Sequence, residues 1–72
     1  MNKMKKIQGL KDYYEERIDF VVEQYNNGRI KYEDIHENKD KLIRLLNDAI
    51  IFSDKINNNK NFRILNNLIN KN

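Results

Sequence analysis

Along the first part of the chain apolar residues recur at intervals of three and four: Ile7, Leu10, Tyr14, Ile18, Val21 and Tyr25. That spacing lines up one face of an α-helix and predicts a helix over roughly 3–27. Gly9 lies inside the pattern and costs about 1 kcal/mol relative to alanine in a helix interior. The first turns are therefore expected to fray, with firm helix from Leu10. Asn26-Asn27-Gly28 supplies a stop, because glycine takes the left-handed conformation that closes a helix and asparagine tolerates it. After a turn over 28–31, from which Ile30 returns to the core, a second stripe of Ile35, Leu42, Leu45, Leu46, Ala49, Phe52 and Ile56 predicts a helix over about 32–57. Glu33 and Asp34 fall in its first turn, where the helix dipole favours negative charge; Lys31 before them is a poor N-cap. The run Asn57-Asn-Asn-Lys-Asn61 breaks the pattern, since asparagine competes for backbone hydrogen bonds. Phe62, Leu65, Leu68 and Ile69 then give one apolar side to a short segment over about 61–70. Alone such a helix is marginal in water, so it must dock or stay disordered.

No alternation of period two occurs, so the expected fold is all-α. It is a single domain over 1–72: an antiparallel helical hairpin plus a short third helix, completed by self-association. Each long helix is on the order of 30–40 Å at 1.5 Å per residue.

At 72 residues the core is marginal. There is no cysteine and only one histidine, which excludes disulfides, zinc–thiolate sites and multi-histidine metal sites. No cofactor is expected, and helix packing or self-association must supply the stability. Absence of cysteine fits a reducing cytoplasm. The basic start from Met1 to Lys6 is like the front of a secretory signal, but Lys11, Asp12, Glu15 and Glu16 arrive before any apolar run. No stretch reaches the length of a membrane span, so a cytoplasmic protein without a membrane partner is expected. Asparagine and lysine have AT-rich codons, and their abundance points to a low-GC bacterium, its viruses or its mobile elements.

Around the turn the order is a helix, Gly28, the aliphatic Ile30, the acidic pair Glu33 and Asp34 before Ile35, then Lys39, Lys41 and the pair Leu42-Ile43. This run resembles the short helical hairpin family called SHOCT, over roughly a third of the chain. The threonine or serine usual before the acidic pair is Lys31 here, which removes the cap. The resemblance implies an oligomerisation or adaptor module and brings no catalytic residues.

Several surfaces could carry function. Asp12, Glu15, Glu16, Asp19 and Glu23 fall on one side of the first helix, opposite its core stripe, and like-charged neighbours at i,i+4 each cost a few tenths of a kcal/mol. Pairing in register across Gly28 would set Arg44 near Glu15 and Glu16, and Asp19 near Asp40. The strip is either a docking face for a basic partner or a solvated helix side. Tyr13 and Phe20, seven apart, lie off the main stripe of the first helix, as Ile43 and Ile50 do on the second. A hairpin needs one stripe per helix, so the spare apolar surface must be covered by the third helix, by another copy or by a different protein. Tyr13, Phe20, Ile43 and Ile50 are the candidate anchors, with Asp12, Glu16, Asp19 and Glu23 steering association.

Basic residues gather at the two ends of the chain, Lys3, Lys5, Lys6 and Lys11 in front and Lys55, Lys60, Arg63 and Lys71 behind. A hairpin would bring the two groups together away from the turn, where nucleic acid would be attracted through Lys3, Lys5, Lys6, Lys60 and Arg63. Against this, the net charge is only +3, no helix carries a row of base-reading side chains, and long antiparallel helices differ from the near-perpendicular DNA-reading pair. Glu33 and His36, at i and i+3, match half of a carboxylate-bridged metal motif whose other ligands are missing; an ordinary exposed histidine is the simpler reading.

Catalysis is not expected. The chain has no cysteine nucleophile, no glycine-rich phosphate loop and a single serine, Ser53. Its carboxylates sit on an exposed face with little means of building the pocket that shifts a pKa. The sequence reads as a non-catalytic helical interaction protein that self-associates into a dimer or larger and also binds another protein: an adaptor, inhibitor or immunity-type factor. The alternative is a small dimeric DNA-binding regulator or antitoxin-like factor.

Overall fold

The first helix, α1 (Lys3–Asn26), passes through Gly9 without a break and ends where Gly28 adopts φ 77°. The computed structural model describes the backbone of residues 3–71 and the side chains of residues 9–71. An interior glycine weakens a helix through backbone entropy and does not by itself interrupt it, and α1 is continuous on both sides of Gly9. The stop at Gly28 is a Schellman closure. Arg29 N–H donates to the Gln24 carbonyl at 3.0 Å and Gly28 N–H to the Tyr25 carbonyl at 3.1 Å, satisfying carbonyls the helix leaves open.

The expected second helix is two helices. α2 (Tyr32–Glu37) and α3 (Lys39–Phe52) are separated by Asn38. The Asn38 side-chain amide donates to the Asp34 carbonyl at 2.8 Å, the acceptor that its own backbone N–H also uses at 3.1 Å. Its backbone, at φ −101° and ψ 19°, has left the helical region. This is the competition for backbone groups that asparagine brings to a helix interior. Lys31 does stand at the N-cap, and lysine has no acceptor to offer; the cap is made from the other side, by the Asp34 carboxylate accepting from Lys31 N–H at 2.8 Å. α3 stops at Phe52 and not near residue 57, because Ser53 is extended and buried. A 3-10 turn (Ile56–Asn58) follows, and then α4 (Lys60–Asn70). Among the described residues there is no strand, so the protein is all-α.

The short last helix docks. α1, α3 and α4 pack on one another, with α2 against α3 and α4. Ile18 and Val22 of α1, Ile35 of α2, Leu46 and Ala49 of α3, Ile56 of the turn, and Phe62, Leu65 and Ile69 of α4 close one core, in which Ile18 and Leu65 are wholly covered. Val22 lies outside the predicted stripe, yet it is buried deeper than Val21. α4 covers that flank of α1, which a stripe drawn for a two-helix hairpin would leave open. Polar ties hold α4 in place. The Asn59 side chain caps it by accepting from Phe62 N–H at 3.0 Å, Asn61 donates to Asp19 Oδ1 at 2.8 Å, and the Tyr32 hydroxyl donates to the Lys71 carbonyl at 2.6 Å.

A domain of this size holds on the order of 4–10 kcal/mol in total. Leu65→Ala is expected to remove about 3 kcal/mol of it, and Gly28→Ala about 1 kcal/mol, through the positive φ alone, since a Cβ there meets nothing within 4 Å. Urea unfolding followed by circular dichroism reads both as shifts of the midpoint.

Candidate interaction surface

On the side of the α1–α3 pair that α4 leaves uncovered runs a groove of about 540 Å³. Val21, Ile35, Leu42 and Leu45 give it an apolar lining, Tyr13 and Phe20 rise from α1 beside it, and no residue of α4 reaches it. Phe20 is 61% exposed and Tyr13 51%. Tyr13 is held in position by an aromatic column. The Tyr14 ring stacks on Phe52 at 5.4 Å and 9°, Tyr13 meets Tyr14 edge-on at 5.1 Å, and the Arg17 guanidinium lies 5.9 Å from the centre of the Tyr13 ring. Such contacts fix a surface aromatic without burying it.

The charges around the groove are uneven. Arg17, Lys41 and Arg44 line it together with Asp34 and Asp48, and Asp34 is engaged in capping α2. Among the described residues the one ion pair is Lys11 with Glu15, at 3.9 Å along α1; Arg17, Lys41 and Arg44 have no carboxylate within that reach. Arg44 makes no ion pair with Glu15 or Glu16, the residues that in-register pairing sets near it. It faces the groove with Tyr13 and Arg17, because helix rotation places it on that side of α3. The Asp19 carboxylate accepts from the Asn61 amide at 2.8 Å.

The candidate anchors divide into two groups. All four are exposed, with Ile43 at 36% and Ile50 at 49%, but only Tyr13 and Phe20 line the groove. Ile43 and Ile50 stand elsewhere on α3, joined by Ile51 at 69% exposure, which the stripe analysis missed. Of the acidic strip, Asp12, Glu16 and Glu23 are exposed, whereas Glu15 and Asp19 are half-buried. Arg17 also escaped the sequence reading, although its i,i+4 spacing from Tyr13 was a usable signal.

Lys60 and Arg63 are exposed on α4; the side chains of Lys3, Lys5 and Lys6 lie outside the described residues. Lys71 does not join a basic end away from the turn, because Tyr32 holds its carbonyl next to α2. The His36 ring lies 6.2 Å from that of Tyr32, and among the described residues no three His, Asp or Glu side chains converge on a metal-sized site. None of the described helices is long and apolar enough to cross a membrane. No family model, curated protein or solved structure matches the chain.

The two fates within the acidic strip can be separated. Asp19→Ala is expected to cost about 1 kcal/mol by freeing Asn61, while Asp12→Ala stays within about 0.5 kcal/mol of the parent. Denaturant melts of the two variants side by side check this.

Proposed function

We propose that this protein is a small, non-catalytic helical interaction module that works sterically, offering the groove face of α1 and α3 to other proteins, copies of itself among them. The observation that carries the reading is the apolar groove flanked by two exposed aromatic side chains and by cations that form no ion pair among the described residues. Large exposed aromatic rings beside an apolar recess are what interface hot spots are made of. A chain with a core this small gains stability from each apolar surface it covers. Stacking of Tyr14, in the first half of α1, on Phe52, the last residue of α3, favours an antiparallel hairpin as the platform. The resemblance of the turn region to the SHOCT hairpins points to the same kind of role. In this reading the protein is an adaptor, inhibitor or immunity-type factor of the cytoplasm, and Asp12, Glu16 and Glu23 steer its encounters.

The test is affinity capture from the native host with the parent chain and with Phe20→Asp, in parallel with retention on DNA. Captured proteins are expected to disappear with Phe20→Asp and to survive nuclease treatment. An unchanged set, or retention on DNA that falls steeply with salt, would overturn the reading in favour of a nucleic-acid binder.

A further inference from the structure

We infer that the occupant of the groove is a second copy of this chain, docked antiparallel about a two-fold axis that passes between Glu16 and Arg17 of each α1. This rests on the interaction reading above and names its partner. The outward line of α1 runs Tyr13, Glu16, Phe20, Glu23, in steps of three and four, so aromatic and acidic side chains alternate along a single face. All four are exposed. Arg17 lies one position round the helix toward the groove, its guanidinium held by the Tyr13 ring and unpaired with any carboxylate among the described residues.

Tyr13 and Phe20 are equally distant along the chain from the Glu16–Arg17 midpoint. A two-fold axis there sets Tyr13 of each copy against Phe20 of the other, and Glu16 of each against Arg17 of the other, both contacts occurring twice. This is the self-complementarity that a closed symmetric pair demands. The parallel arrangement fails on charge, because it opposes Glu16 to Glu16 and Glu23 to Glu23. Lys41 and Arg44 line the groove as well, beside Asp34 and Asp48, so the charge complementarity is that of Glu16 with Arg17. The product is a four-helix layer of two α1–α3 pairs, with α4 on each outer side and Ile43, Ile50 and Ile51 outside the contact.

Analytical ultracentrifugation of the full chain tests this, with circular dichroism to confirm that each variant is folded. The parent is expected to be a dimer at micromolar concentration. Phe20→Asp should weaken it about a hundredfold, and Glu16→Arg and Arg17→Glu about tenfold each. An equimolar mixture of the last two should regain parental affinity as a heterodimer, since every Arg then meets a Glu. A monomeric parent, or a dimer indifferent to Phe20→Asp, overturns the inference; a mixture no tighter than its components overturns the register and with it the axis. A monomeric parent that still captures a host protein through Phe20 removes the second copy and leaves the interaction reading standing. Loss of both signals removes the two together.

Discussion

Eleven residues are too few to hold an α-helix in water on their own, and α4 is helical because Phe62, Leu65 and Ile69 recur on one side and are taken up by α1 and α3. That docking decides more than the shape of the last segment. It widens the buried arc of α1 from Ile18 to Val22, pins the start of α4 to Asp19, and leaves the other side of the α1–α3 pair without a cover. One short helix can shield one side of two long ones. The exposed aromatic residues are the remainder once α4 has chosen its side, and the groove lies where a fifth helix would have gone.

The same choice sorts the charges. Asp19 is drawn into the fold by Asn61 and Glu15 is half-buried, with Lys11 3.9 Å away, so the fully exposed part of the acidic strip is Asp12, Glu16 and Glu23. On the groove flank Arg17, Lys41 and Arg44 form no ion pair among the described residues. Across one helix, then, the surface passes from acidic through aromatic to basic. A net charge of +3 describes none of this. A chain with both signs arranged in order on one face can discriminate between orientations of a partner, which net charge alone cannot do.

Features whose cause is local were legible in the sequence. Gly28 after two asparagines closes α1 because only a left-handed residue can do so cheaply, and the asparagine run announces the start of α4 because Asn59 caps it. The apolar periodicity gave the all-α class. Features that depend on a partner element were not legible. Val22 reads as off-stripe until α4 is known to lie beside it. In-register pairing sets Arg44 near Glu15 and Glu16 because it fixes height along a hairpin but not rotation about the helix, and Arg44 lines the groove. The break at Asn38 is hidden by Ile35 and Leu42, whose spacing of seven suits a continuous helix; only the double claim of Asn38 on the Asp34 carbonyl reveals it.

That joint has a bearing on how the groove is terminated. Asp34, Ile35 and Asn38 form its far wall, so the end-stop belongs to a six-residue helix joined to α3 by a single asparagine and packed against both α3 and α4. What braces this helix from behind is α4, through the packing of Ile35 in the common core and the grip of Tyr32 on the Lys71 carbonyl. The helix that lends no atom to the recess is thereby the buttress of its closed end. Slackening α4 would lengthen the recess from a distance, while the aromatic column at the opposite end, built on Phe52, kept its place.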